Sequence, residues 1–186
     1  MEIEKWSEHE RLEFRNQEFD RIFMNDSVAK PNPQNFDFNT ELHFENCKIN
    51  CFELVMICTG RLIEFINCSF GEIICIAPMF DGGFRMKNCT VNGRAVFDAG
   101  MHNKAPNEFA LENCVFKEFV NFFDVHFDGP VKVTDNKFVK GTNLCIYLSP
   151  PIGIVAGQSI LIEGNSGDLS LYAIDDPFNP ENRLKN

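Results

Sequence analysis

The sequence predicts an all-β fold, a right-handed parallel β-helix of about seven coils. The first observation is a phrase of six residues: apolar, any, Asn, Cys, any, apolar. The second is its spacing, because the anchor positions lie 21 to 30 residues apart and such a period indicates a solenoid. The third is a spacing of five between apolar pairs, which a helix does not produce. The phrase is intact at residues 44–49, 65–70, 86–91 and 111–116 and degenerate at 14–19, 133–138 and 162–167, with anchors Asn16, Asn46, Asn67, Asn88, Asn113, Asp135 and Gly164.

Each coil is predicted to consist of very short strands separated by corners, because side chains that alternate in and out over three residues fit a strand. Such a coil has no core of its own and buries its inward residues only by stacking on the next coil. Like residues then form ladders at strand spacing, with a right-handed crossover. We expect Phe65 and Phe70 to be buried and Glu64 to face outward. One ladder contains Cys47, Cys68, Cys89 and Cys114, and the adjacent corner ladder contains the anchor Asn residues.

The N-terminal segment has two interpretations. Ser7 to Glu10 has the form of a capping box, so residues 8–24 could be one helix. The other interpretation makes residues 12–24 a first coil, and we favour it because its inward positions match the later copies. Those positions are Leu12, Phe14, Gln17, Phe19, Ile22 and Met24.

The next segments alternate between loop and regular coil. Residues 25–41 are rich in Pro, Asn and Asp and are predicted to be a loop held by Phe36 and Phe38. Residues 93–108 and 117–130 break the period and are predicted to bulge as loops. The inward residues of the second to fourth coils are predicted to be Leu42, Phe44, Cys47, Ile49, Phe52, Leu54, Ile57, Thr59, Ile63, Phe65, Cys68, Phe70, Ile73, Cys75, Phe80, Phe84, Met86, Cys89, Val91, Val96, Ala99 and Met101.

The chain is predicted to be one domain over residues 1–186. Residues 1–11 form an N-terminal cap, residues 12–174 form the coils and residues 175–186 form a C-terminal tail. The apolar stretch 144–155 is expected to leave the regular coil.

The phrase and its five-residue spacing resemble those of a degenerate pentapeptide-repeat protein of the right-handed parallel β-helix class. The resemblance covers roughly residues 12–174. It implies the fold and says little about activity, because such proteins include acidic rods that bind topoisomerase, secreted effectors and many without a known role. The coils here are 21 residues or longer instead of 20, so the cross-section is either square or triangular with side loops.

Composition narrows the class of function. The chain is 44% hydrophobic with 20 Phe, and its net charge of −10 disfavours direct binding to nucleic acid or to anionic membranes. We expect a cytoplasmic protein, because the sequence opens without a signal-peptide pattern and contains no apolar span of membrane length. The eight Cys are then expected to stay reduced.

Few residues are candidates for chemistry. A glycan-active β-helix enzyme would need clustered acids with a base or a metal, but the spacing of the candidates fits no motif, and solvated surface residues are the preferred interpretation. Those candidates are Arg94, Asp98, Asp124 and Asp128, with His102 and His126 nearby. Cys47, Cys51 and Cys58 are assigned to the repeat lattice in preference to a metal site, and His43 to the exposed surface. We therefore expect no catalytic residue, no cofactor site and no metal site.

Three functions compete. The first is a non-enzymatic scaffold that binds an unknown protein through acidic faces and loops, the second is an acidic DNA mimic that binds a topoisomerase, and the third is the glycan-active enzyme. A mimic needs rows of carboxylates, yet Ile66 and Lys87 separate Glu45 from Glu112 at the position before the anchor. We also expect a homodimer, because Leu169, Leu171 and Ile174 precede a polar tail that cannot cover the last coil.

Overall fold

The protein is a parallel β-solenoid, and the prediction of an all-β fold is confirmed. A computed structural model describes residues 3–25, 30–31, 36–148 and 159–172, and it consists of parallel sheets stacked around one core. In the described residues, helical structure is limited to a 3₁₀ helix over Ile3–Glu8 and a four-residue α-helix.

The strands follow one another coil by coil. The first coil has β1 (Arg11–Arg15), β2 (Glu18–Asn25), β3 (Lys30–Pro31) and β4 (Phe36–Phe38). The second has β5 (Glu41–Glu45), β6 (Lys48–Val55) and β7 (Cys58–Thr59), and the third has β8 (Ile63–Ile66), β9 (Ser69–Ile76) and β10 (Met79–Phe80). The fourth has β11 (Phe84–Lys87), β12 (Thr90–Val91), β13 (Ala95–Asp98) and β14 (His102–Asn103). After these come β15 (Phe109–Glu112), β16 (Val115–Phe116), β17 (Val120–Asn121), β18 (Val131–Thr134), β19 (Lys137–Phe138), helix α1 (Leu144–Tyr147) and β20 (Ile160–Glu163).

Three walls enclose the core. The first wall is β1, β5, β8, β11, β15, β18 and β20 in that order, and the third wall runs from β3 and β4 through β7 and β10 to β14. The second wall contains β2, β6, β9, β12, β13, β16, β17 and β19. About four described coils have strands on all three walls, so the predicted count of about seven is too high. Among the described residues beyond the fourth coil, the third wall continues as an isolated bridge from Lys104 to Asp128, while the first wall has seven strands.

Inward side chains stack in columns from coil to coil, as the repeat predicts. Phe44 lies 4.8 Å from Phe14 and 4.9 Å from Phe65 between ring centroids, which is the strand spacing. Phe65 and Phe70 are fully buried, and all predicted inward residues of the second and third coils are buried. The core is therefore a continuous column of Phe, Ile, Leu and Cys.

The anchor Asn residues form the predicted corner. Asn46, Asn67, Asn88 and Asn113 have φ between 51° and 55°, a left-handed conformation that Asn tolerates better than most residues. The amides of Asn67, Asn88 and Asn113 each donate to the side-chain oxygen of the preceding Asn, at 3.2, 3.1 and 2.8 Å. A second corner has positive φ at Met56, Ala77, Ala99 and Asp124.

The N-terminal residues form a first coil, so the helical interpretation of residues 8–24 is wrong. The capping box does not start a helix, because the 3₁₀ helix ends at Glu8 and β1 follows. Trp6 of that helix is buried on Phe14 with ring centroids 4.8 Å apart, and Thr40 Oγ1 donates to Trp6 O at 2.8 Å. Gln17 is exposed at the corner and does not face inward as predicted.

Three predicted loops contain strands. Residues 36–38 of the predicted loop 25–41 pair with β7, and Phe38 is buried in the core. The ranges 93–108 and 117–130 contain β13, β14 and β17 and complete the walls.

The predicted facing of the fourth coil is wrong on its second wall. Ala95 and Phe97 are buried, and Val96 and Ala99 are not. The partner of Val91 is Phe70, 21 residues earlier, whereas the partner of Ala95 is Ile73, 22 residues earlier. One residue is therefore inserted at the Asn92 to Arg94 turn, and a slip of one reverses every side chain.

The C-terminal region is described only in part. Helix α1 and β20 are described, and the predicted tail 175–186, Ile174 and most of the apolar stretch 144–155 lie outside the described residues.

Candidate functional site

The residues predicted for a glycan-active site fall on different parts of the solenoid. Arg94 and Asp98 lie on the second wall beside an open depression, and Asp124 lies in the second corner. His102, His126 and Asp128 meet on the outer face of the third wall. The structure thus divides the predicted group and assembles three of its members.

Asp128 lies between the two imidazole rings. Its Oδ2 is 2.8 Å from His102 Nδ1, and its Oδ1 is 3.1 Å from His126 Nε2. The ring centroids are 4.9 Å apart, and the side chains are 38–39% exposed. The three side chains form a polar cluster that solvent can reach.

The β-helix register brings these residues together. Met79 is paired with His102, and the bridge from Lys104 to Asp128 continues the wall into the next coil with an offset of 24 residues. This offset places His126 beside His102. The backbone N–H of His126 donates to the carbonyl oxygen of Gly100 at 2.9 Å. Asp128 follows two positions later on the same face.

A buried amide supports the segment that carries the cluster. Asn103 is fully buried, and its Oδ1 accepts from Gly129 N at 3.0 Å. Its Nδ2 donates to Asn107 O at 2.9 Å and to Pro130 O at 2.8 Å. A Cβ at Gly129 would lie 2.8 Å from that Nδ2, so glycine is required there. The backbone next to His102 and Asp128 is therefore held by side-chain hydrogen bonds from within the core.

The outer face of the second wall carries a group of apolar side chains among polar ones. The register places Phe23, Glu53, Ile74, Val96 and Asn121 in one outward row and Asn25, Val55, Ile76 and Asp98 in the next. Ile76 is 41% exposed, and Met56 at the adjacent corner is 63% exposed. Ile74 is outside the contiguous core although it is only 8% exposed. We call this surface the apolar face.

An open depression adjoins the apolar face. Its volume is about 480 Å³, and it is lined by Arg94, Ala95, Val96, Asp98, Glu118, Phe119 and Asn121. One ion pair lies within this surface, because Glu53 stands between Phe23 and Ile74 and bonds Arg21. Two lie at its edges, where Arg94 is 3.6 Å from Glu72 and Lys140 is 2.5 Å from Glu118.

The apolar face was not predicted, although the sequence contains a pattern that indicates it. Ile73-Ile74-Cys75-Ile76 and Ala95-Val96-Phe97 are continuous apolar runs without the alternation of a half-exposed strand. Such runs are typical of strands covered on both sides.

The first wall presents paired charges on its outer face. The two outward rows are Glu13, His43, Glu64, Arg85, Ala110, Lys132 and Leu161, and Arg15, Glu45, Ile66, Lys87, Glu112, Thr134 and Glu163. Charges of opposite sign approach within 3.2 Å between Arg15 and Glu45 and 2.6 Å between Lys132 and Glu112. The carboxylates are therefore interleaved with cations on this wall, as the sequence indicated.

His43 and Glu64 are less exposed than predicted. Glu64 faces outward but is only 9% exposed, because its oxygens lie 2.8 Å from His43 Nδ1 and 3.0 Å from Arg85 Nη1. His43 Nε2 lies 2.6 Å from Glu41 Oε1. His43 is thus part of a local charge network.

The cysteine ladder is structural. Cys47, Cys68, Cys89 and Cys114 are buried, and the hydrogen bond to Cys114 is the main cause that raises the pKa of Cys89 to about 12. A thiol with so high a pKa is a poor nucleophile and a poor metal ligand at neutral pH. The eight cysteines form no disulfide in the structure.

Cys51 and Cys58 lie in the paired strands β6 and β7 of the repeat lattice, as predicted. They are not members of that ladder, and both lie outside the contiguous core. Cys51 is on the outer face of the second wall, where its Sγ donates to Glu53 Oε1 at 3.3 Å. Burial and that hydrogen bond raise the pKa of Cys51 to about 11.

No protein-family model, curated protein or solved structure matches the chain. Within the described ranges, no helix is long and apolar enough to cross a membrane.

Proposed function

We propose that the protein is a non-enzymatic scaffold that binds another protein, and that the apolar face of the second wall is the main docking surface. The observation that carries the proposal is the pair of outward rows containing Phe23, Ile74, Val96, Val55 and Ile76. A contiguous apolar surface with a polar border is typical of a protein interaction site.

The shape of the face favours a folded partner or an extended peptide over a small ligand. Parallel strands form a flat surface, and the depression beside Val96 and Phe119 is open. Flat, largely pre-formed surfaces bind other proteins by complementary packing around a few buried apolar anchors. The net charge of −10 favours a partner with basic residues around its apolar centre.

The DNA-mimic alternative has less support. A mimic requires rows of like charge, whereas the first wall pairs Arg15 with Glu45 and Lys132 with Glu112. The glycan-active alternative would have to rely on the exposed cluster of His102, His126 and Asp128, because Arg94 and Asp98 lie on another wall.

The protein family, the cellular location and the oligomeric state belong to the same proposal. We infer a degenerate pentapeptide-repeat protein from the Asn and Cys ladders, and a cytoplasmic location from eight cysteines that form no disulfide with one another. The expected homodimer would use the C-terminal coil, where Leu161 and Leu171 are each 39% exposed. It would leave the apolar face of each copy available to the partner.

A photo-crosslinking experiment tests the docking surface. A photoreactive phenylalanine analogue replaces Ile76, and in a matched chain it replaces Val139, which is 54% exposed but lies off the apolar face. Both chains are expressed in the native cells and irradiated. We expect a defined adduct with another protein only from position 76, and we expect Val96→Lys to abolish that adduct while Lys48→Glu leaves it.

Three outcomes would contradict the proposal. They are equal adducts from both positions, an adduct that Val96→Lys does not affect, and an adduct consisting of two copies of this chain.

A further inference from the structure

We propose that His102, His126 and Asp128 form a binding site for a divalent transition-metal ion, with zinc as the best match. The site is independent of the apolar face, because it lies on the third wall. Two imidazole nitrogens and one carboxylate are a ligand set that Zn²⁺ commonly uses.

The ligand atoms already converge. One ring nitrogen of His102, one ring nitrogen of His126 and one carboxylate oxygen of Asp128 lie within 4.8 Å of one another. Zinc bonds of about 2.0–2.2 Å place neighbouring ligand atoms roughly 3.3 Å apart in a tetrahedron. Binding therefore requires the widest pair to close by about 1.5 Å, which half-exposed side chains reach by small rotations.

The backbone beneath the cluster is organised for this role. Asn103 bonds Gly129, Asn107 and Pro130 from the buried side of the wall, so the segment carrying Asp128 is fixed relative to His102. Because this backbone is already fixed, the residues that it carries lose little conformational entropy when they bind an ion. The neighbouring Lys104 lies 2.5 Å from Asp81, which places its ammonium near a carboxylate other than Asp128.

The coordination would be incomplete. Three protein ligands occupy three positions of a tetrahedron, so one position remains for water or for a ligand atom of a bound molecule. The cysteines do not compete for the ion in this site, because the metal-ligating group contains none of them.

His43 offers a matched control. It also contacts two carboxylates, but through opposite ring nitrogens, Nε2 with Glu41 and Nδ1 with Glu64. The two contacts point away from each other and cannot converge on one ion. His43→Ala therefore removes a histidine with acidic neighbours without touching the proposed site.

Isothermal titration of the metal-free full-length chain with ZnCl₂, and parallel titration with CoCl₂ followed by visible absorption, test the site. We expect one zinc ion per chain, tetrahedral cobalt bands without a thiolate charge-transfer band, and a raised midpoint of thermal unfolding. His126→Ala and Asp128→Asn should each weaken zinc binding more than about tenfold, since even indirect partners of metal ligands contribute that much. His43→Ala should bind zinc like the unaltered chain.

The proposal is overturned if the chain binds no zinc at one equivalent, or if His126→Ala and Asp128→Asn bind it unchanged. It is also overturned if His43→Ala loses binding equally. Far-ultraviolet circular dichroism of each variant establishes that the β-solenoid is retained. Asp128→Asn keeps the size of the side chain, so it separates loss of a ligand from loss of structure.

Discussion

Replacing Asn88 should reverse the usual order of stability between alanine and glycine. Asn88 lies in the middle of the corner ladder with φ of 55°. Its Nδ2 donates to Asn67 Oδ1 at 3.1 Å, and its Oδ1 accepts from Asn113 Nδ2 at 2.8 Å. Both Asn88→Ala and Asn88→Gly remove the two hydrogen bonds, but only alanine is strained at positive φ.

The magnitudes follow from these terms. Two exposed hydrogen bonds contribute about 0.5 kcal/mol each, and a left-handed conformation costs alanine about 1–2 kcal/mol. Asn88→Ala should therefore lower the free energy of unfolding by about 2–3 kcal/mol. Glycine avoids the strain and costs about 0.5–1 kcal/mol in added freedom of the unfolded chain, so Asn88→Gly should lose about 1.5–2 kcal/mol.

Urea unfolding followed by circular dichroism measures the difference, provided that the dependence on urea is equal in all variants. Asn50 is the control, because it is exposed within β6 and is not among the residues with positive φ. There Asn50→Gly should be less stable than Asn50→Ala, in the ordinary order. If alanine equals or exceeds glycine in stability at position 88, the left-handed corner is not a constraint of the folded state and the reasoning is refuted.

Four further predictions concern the core, the thiols and the assembly. Phe70→Ala should lower the free energy of unfolding by about 3–5 kcal/mol, and exposed Lys48→Ala by well under 1 kcal/mol; equal losses in urea unfolding would contradict the assigned facing. After denaturation without reductant, mass spectrometry should show that all eight cysteines are alkylated. If fewer than eight are alkylated and adventitious oxidation is excluded, the prediction of reduced thiols is wrong. In the native protein the alkylation rate of Cys51 should rise about tenfold per pH unit up to about pH 11, because burial and the hydrogen bond to Glu53 raise the pKa of this thiol to about 11; a rate that levels off near about pH 9, as for an ordinary thiol, would argue against that environment. Light scattering should give about twice 21.3 kDa, reduced to the monomer mass by Leu171→Glu, and a monomer in both chains would rule out the dimer.

The solenoid architecture could be predicted from the sequence because the six-residue repeat specifies both a left-handed corner residue and a pair of buried side chains. Asn67 marks the left-handed residue, Cys68 begins the next wall, and Phe65 and Phe70 flank them on the inside. Where coils keep a constant length of 21 residues, as between β8 and β11, the register follows from counting.

The prediction failed where the length of a coil changes between walls. One extra residue near Gly93 reverses the facing of Val96, and nothing in the local composition marks it. His102, His126 and Asp128 were named as candidates, but their convergence on the third wall was not predicted, for a related reason. His102 and His126 are 24 residues apart, whereas the anchors Asn88 and Asn113 of the same coils are 25 apart. Counting from the anchors therefore places His102 opposite Phe127 instead of His126.

Trp6 gives the molecule two unlike ends. The indole lies on Phe14 and closes the column of core side chains at the first coil. Head-to-tail polymerisation requires both ends of a solenoid to accept another copy, and here one end is already filled by the chain itself. Head-to-tail stacking on the first coil is thereby blocked, and a two-fold contact through the opposite end joins two copies into a closed dimer.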